Sequence, residues 1–120
     1  MLFRSQPLNS WIVSSVTDMS YMFGACFVFN QPLNSWIVSS VTDMTAMFSQ
    51  CFVFNQPLNS WNVSSVQNMQ AMFSQCFVFN QDLSTWCVQN IPSLPTNFYF
   101  GATLWILPLP MWGVTSSPPC

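Results

Sequence analysis

Five cysteines and three aspartates stand out among the side chains of this sequence that could act as nucleophiles, acids, bases or metal ligands. Cys26, Cys51 and Cys76 are spaced 25 residues apart, and so are Asp18 and Asp43. A nucleophilic cysteine or serine needs a neighbouring base, and acid–base catalysis draws mainly on His, Glu, Asp and Lys. The chain contains no His, Glu or Lys. The sequence therefore predicts no catalytic residue, and we do not expect an enzyme.

The spacing of these residues argues against a metal or cofactor site as well. Zinc needs four ligands that converge on one ion, whereas the three regularly spaced cysteines would be separated by one structural repeat each. Buried free cysteine behaves as a small apolar residue, so we predict a ladder of free thiols in the core. Cys87 and Cys120 are additions to this ladder, and five cysteines do not make a paired disulfide framework. We predict no metal and no cofactor.

The 25-residue spacing belongs to an internal repeat that runs through most of the chain. Residues 31–55 read QPLNSWIVSSVTDMTAMFSQCFVFN, and the blocks 6–30 and 56–80 each differ from them at four positions. Such a period indicates stacked units, each of which contacts only its neighbours. We predict a single solenoid domain over residues 1–120, with repeats at about 6–30, 31–55 and 56–80, a degenerate repeat at 81–106 and a partial unit at 107–120.

Apolar residues recur in fixed columns of Leu, Trp, Val, Met, Phe and Cys, which form the predicted core. Trp36 and Val38 are two residues apart, as on a strand, whereas Met44 and Phe48 are four apart, as on a helix. Asp43 precedes Met44, where its carboxylate can cap the first turn of a helix. The sequence predicts an α/β repeat solenoid with one short strand and one short helix in each coil. A β-solenoid with 3-10 turns is the alternative.

The run FNQPLNSWIVSSVTDMTAMF closely resembles the repeat of the BspA-like leucine-rich surface proteins, which reads roughly F-N-Q-P-L-x-x-W-D-V-S-x-V-T-x-M-x-x-M-F. The resemblance extends from Gln6 to about Val88. It implies a leucine-rich-repeat-like solenoid and a cell-surface or secreted role in adhesion and protein binding, and it transfers no catalytic residue. No export signal is visible at the start of the chain, which turns polar at Arg4.

Phe-Val pairs stand where the family has small polar residues before Phe-Asn. Two interpretations of Phe27, Phe52 and Phe77 remain open. The rings enlarge the core, which is the interpretation that we favour, or they form an interaction stripe, because contiguous exposed apolar patches tend to mark partner sites.

Amide side chains form columns of their own beside the aromatic ones. Asn30, Asn55 and Asn80 recur directly after a phenylalanine. We expect their amides to bridge backbone groups of neighbouring coils, as in the Asn ladders of stacked strands. Binding of a ligand by these amides is the less favoured interpretation.

The repeat pattern degenerates after Trp86, where regular hydrogen bonding is interrupted by Pro92, Pro95, Pro108 and Pro110. Terminal repeats are often atypical because they cap the open core. The uncharged stretch from Phe98 to Val114 is shorter than the roughly 20 apolar residues of a spanning helix. We therefore expect no membrane segment, and we expect the exposed apolar ends of the solenoid to favour self-association.

Charge is nearly absent, since charged residues make up 3% of the chain against about 25% in an average protein. Nucleic acid binding requires Lys and Arg that neutralise phosphates, and Arg4 is the one such residue. We predict a non-catalytic surface or secreted repeat module for adhesion or protein–protein interaction, with a protein or cell-surface ligand as its partner. Two alternatives stay open, namely a solenoid that binds ice or a crystal surface and a fragment of a longer array without independent function.

Overall fold

The structure, a computed structural model, describes residues 7–115 and Cys120. Two short strands form within this part of the chain, β1 at Cys87–Val88 and β2 at Met111–Trp112. They pair in parallel, with Cys87 opposite Met111 and Val88 opposite Trp112. The described residues contain no helix, and consist otherwise of turns and irregular segments.

The predicted α/β repeat solenoid, with one short strand and one short helix per coil, is therefore wrong. The β-solenoid with 3-10 turns is also wrong, because the two strands are two residues long and the described residues form no 3-10 helix. The radius of gyration is 13.3 Å, close to the roughly 14 Å of a compact globule of this length. Within that globule the repeats lie on one another as layers, and we use "layer" below for one repeat.

The direction of the backbone N–H groups explains why the helix does not form. In an α-helix every N–H donates to the carbonyl four residues earlier. Here the N–H groups of Met44 and Phe48 donate instead to carbonyl oxygens of the next layer, at 2.9 Å each. The N–H of Ala46 does the same at 2.8 Å, whereas that of Met47 closes a tight turn within the layer by donating to Met44 at 3.2 Å. Alternate donors thus join neighbouring layers, and a continuous helix is impossible.

The backbone reaches this geometry through left-handed residues. Ala46 has a φ of 53° and Gln50 a φ of 63°, and the equivalent positions of the layers on both sides share this conformation. A left-handed residue other than glycine costs about 1 kcal/mol. The hydrogen bonds between layers and the burial of the columns offset that cost. The N–H groups of Ala46 and Gln50 themselves donate to the next layer, each at 2.8 Å.

The predicted columns do form the core. Trp36, Trp61 and Trp86 stack almost parallel, with ring centroids 6.5 and 6.4 Å apart. Phe48 and Phe73 stack in the same way at 5.5 Å. The other buried columns consist of Leu33, Leu58, Leu83, Val38, Val63, Val88, Val41, Val66, Met44, Met69, Met47, Met72, Phe54, Phe79, Cys51 and Cys76.

The stacking changes in the fourth layer, residues 81–106, on which the partial unit that contains β2 lies. Phe98 meets Phe73 edge-on at 78°, and Trp105 meets Phe79 edge-on at the same angle. The N–H of Phe98 donates back to Pro95 within the layer, at 3.2 Å. The parallel stacking of rings ends here, because the rings are perpendicular and the N–H of Phe98 donates within its own layer. This agrees with the atypical terminal repeat predicted from the sequence.

Candidate interaction surface

The aspartates bind backbone N–H groups, as expected, but they cap turns rather than helices. Asp18 Oδ1 accepts from the backbone N–H of Ser20 at 2.9 Å and from its hydroxyl at 2.6 Å. Asp43 makes the same pair of hydrogen bonds with Thr45. These side chains order the turn that begins the run of alternating donors in the first two layers.

The hydrogen bonds lower the pKa of two of these carboxyl groups. The hydroxyl of Ser84, followed by its backbone N–H, holds the pKa of Asp82 below its usual value, and Ser20 does the same for Asp18. A lowered folded-state pKa gives stability that is present above the unfolded-state pKa of about 3.9 and is lost as the pH falls through the folded value. These groups therefore contribute to loss of stability in acid.

We expect Ser84→Ala to raise the pKa of Asp82 toward the value of a free aspartate, because the strongest donor to the carboxylate is removed. Carboxyl carbon chemical shifts followed by NMR during an acid titration will measure it. Asp18 keeps its own serine and serves as the internal control. An unchanged pKa of Asp82, or an equal rise at Asp18, would contradict the assignment.

The three regularly spaced thiols form the ladder predicted from the sequence. Cys26, Cys51 and Cys76 are free and buried. The Cys51 thiol donates to the carbonyl of Phe23 and the Cys76 thiol to that of Phe48, at 3.1 and 3.0 Å. Burial raises the pKa of Cys76 to about 12 and raises that of Cys51 as well. Their chemistry is that of packed apolar groups, since a nucleophile must be a thiolate.

The two remaining cysteines form a disulfide that the sequence did not predict. Cys87 lies in β1, and its sulfur bonds to that of Cys120, whose Cα is 5.1 Å from the Cα of Cys87. The bond holds Cys120 against the fourth layer. Within the described part of the chain, no group of three or more His, Cys, Asp or Glu residues could hold a metal ion.

The asparagine column has the structural role that we expected. Asn30 Oδ1 accepts from the backbone N–H of Asn55 at 3.0 Å, and Asn55 Oδ1 accepts from that of Asn80 at 2.9 Å. Asn80 Oδ1 continues the series and accepts from the N–H groups of Ile106 and Leu107, at 2.9 and 3.0 Å. These bonds fix the register of the layers, and they place Ile106 directly after Asn80 in the stack.

A groove lies beside the disulfide. Its cavity volume is about 470 Å³. Most of its lining residues carry hydroxyl or amide side chains, which can offer hydrogen bonds to a ligand. The lining residues are Asn59, Ser60, Trp61, Asn62, Ser64, Thr85, Cys87, Gln89 and Cys120.

The three phenylalanines of the candidate stripe lie at the surface and do not enlarge the core. Phe27 and Phe77 are 50% and 43% exposed, and Phe52 between them is partly buried. Consecutive rings stack with centroids 4.9 Å apart and planes within 15° of each other. Because the faces cover one another, the row presents ring edges to solvent.

Aliphatic residues extend this row into a wider apolar face. Val28 and Val53 are 60% and 42% exposed beside their phenylalanines. The bonds of Asn80 to the last layer set the register in which Leu104 follows Val78. We call the set the apolar face, which consists of Phe27, Val28, Phe52, Val53, Phe77, Val78, Leu104 and Ile106.

No helix in the described part of the chain is long and apolar enough to cross a membrane. Residues 2–105 match a protein family described as "Mycoplasma protein of unknown function, DUF285". No curated protein and no solved structure matches the chain.

Proposed function

The chain belongs to the DUF285 family, whose description states no activity, and we propose from the geometry that it is a non-catalytic protein-interaction module. In this proposal the module binds a partner protein through the apolar face. The resemblance to BspA-like repeats supports a place at the cell surface or outside the cell, where such a contact serves adhesion.

The exposed phenylalanine row is the observation that carries the proposal. Large exposed apolar patches on soluble proteins tend to mark interaction sites, and aromatic residues are enriched in protein–protein interfaces. Here the rings are held in one orientation by their neighbours at 4.9 Å. A row that is ordered before binding loses little side-chain entropy when a partner covers it.

The chemistry of the row defines what the partner must bring. An aromatic ring has a negative face and a positive edge. Stacking covers the faces of Phe52 on both sides, so a cation cannot reach them. The exposed edges and the valine methyl groups fit apolar side chains, which suits a protein surface poor in Lys and Arg.

We expect photo-cross-linking to capture a defined partner at this face. With p-benzoylphenylalanine in place of Val53, irradiation of cells that produce the full chain should give an adduct with one polypeptide, identified by peptide mass mapping. The same photoreactive residue in place of Ser40, which is exposed outside the apolar face, is the matched control and should give none. Absence of an adduct at position 53, or equal adducts at both positions, would refute the proposal.

A further inference from the structure

We propose that the partner on the apolar face is a second copy of this chain, so that the protein is a symmetric homodimer. This inference rests on the proposed function and names its partner. The dimer contact in this proposal lies on the side of the layers. The sequence analysis predicted self-association through the open ends of the stack instead. Three properties of the face support it, namely its area, its charge and its period.

The area of the face is close to what a stable dimer needs. Ile106 is 84% exposed and Leu104 is 56% exposed, which adds to the exposed parts of the Phe and Val rows. Six of the eight members are 42–84% exposed, so their combined area is of the same order as the roughly 800 Å² that each partner contributes to a standard interface. Burial against a second identical face therefore reaches the size of a specific complex.

The charge distribution favours a second copy over an unrelated partner. The apolar face contains no charged residue, and the whole chain has a net charge of −2. Two copies therefore repel each other only weakly, and proteins with almost no net charge tend to associate. Homodimer interfaces are also more apolar than those of transient complexes with other proteins, which matches the composition of this face.

The period of the face makes it complementary to itself. A two-fold dimer brings the same patch of both subunits together. If the axis runs parallel to the stack, the phenylalanine row of one copy lies on the valine row of the other, layer by layer. The phenylalanine rings of successive layers are 4.9 Å apart in both copies. Each layer of one copy therefore lies opposite the equivalent layer of the other. Ring edges then pack on methyl groups along the whole contact.

Sedimentation equilibrium of the full chain tests the inference. We expect the wild type to associate to twice its mass of 13.7 kDa at concentrations up to roughly 100 µM, since interfaces of this size bind at micromolar strength or better. Val53→Asp should raise the dissociation constant at least about 100-fold, because it buries an unpaired charge in the interface. Ile37→Asp is the matched control, since Ile37 is 62% exposed outside the apolar face, and it should leave the dimer intact.

Leu104→Ser provides a second variant, and the fluorescence of the buried tryptophans reports that each variant is folded. A wild type that stays monomeric to the highest concentration would overturn the inference. Dimers that persist in both Val53→Asp and Leu104→Ser would also overturn it, since the contact would then lie elsewhere. A monomer that binds phosphatidylcholine vesicles through Val53 and Leu104 would also overturn the inference. A monomer whose cross-link at position 53 captures a different polypeptide would overturn the homodimer alone and leave the proposed function intact.

Discussion

Trp61→Ala is expected to lower the free energy of unfolding by about 4 kcal/mol, the loss typical of a buried Trp reduced to Ala. The indole of Trp61 is 3% exposed and lies between Trp36 and Trp86. Its N–H donates to the carbonyl of Leu33 in the preceding layer at 2.9 Å. The substitution therefore opens a cavity in the middle of the stack and removes a bond between layers. Urea unfolding followed by circular dichroism measures the change.

Two variants separate these contributions. Trp61→Phe keeps a ring in the stack and removes the indole donor to the Leu33 carbonyl, which still accepts from the backbone N–H of Trp36 at 3.0 Å. We therefore expect a loss of about 1 kcal/mol, that of one hydrogen bond. Trp11→Ala removes the same side chain from the first layer, where it is 48% exposed, and should cost much less than the central substitution. Equal losses at positions 11 and 61 would show that the stack does not pack as described.

Cys120→Ser should also destabilise the protein strongly. The disulfide with Cys87 closes a loop with a sequence separation of 33, and the chain-entropy model assigns about 4 kcal/mol to a loop of that length. Cys120 is exposed, so its replacement by serine leaves no cavity that would confuse the measurement. The loss in the midpoint of urea unfolding, measured without reductant, reports the contribution of the bond.

Reductant supplies the control for this second variant. Dithiothreitol should bring the wild type to the stability of Cys120→Ser and should leave that variant unchanged, because the other three cysteines are free thiols. A wild type that resists full reduction without loss of stability would contradict the prediction. So would a further loss when reductant is added to the variant.

The core could be read from the sequence because the same residue types return at the same positions. The columns of Trp61 and Phe48 are buried as expected. The helix could not be excluded in this way, since the spacing of Met44 and Phe48 reports which side chains face inward and not where the N–H groups point. Ala46 is left-handed although alanine is a strong helix former. Glycine is the usual sequence signal for a left-handed residue, and Gly101 in the fourth layer has a φ of 76°. The left-handed positions of the first three layers are occupied by other residue types.

The interaction surface was harder to predict for a different reason. Phenylalanine is most often buried, so a periodic row of Phe52 and its equivalents first suggests core. Its exposure depends on where the chain turns between Cys51 and Phe54, which are both buried. The disulfide was missed because β2 brings the end of the chain back beside Cys87, a contact that no spacing in the sequence reveals.

Two backbone N–H groups of the fourth layer donate within their own layer, and this determines how an array of this kind can change in length. Phe98 and Phe100 donate to Pro95 and Asn97 of their own layer, at 3.2 and 3.3 Å, whereas Phe73 donates to the layer that follows it. A unit appended beyond the fourth layer would meet edge-on rings and no outward N–H at these two positions. A unit duplicated between Asn55 and Gln56 would find matching neighbours on both sides. Duplication of an interior unit therefore preserves the contacts between layers on both sides, whereas a unit beyond the fourth layer lacks the hydrogen bonds between layers at these two positions.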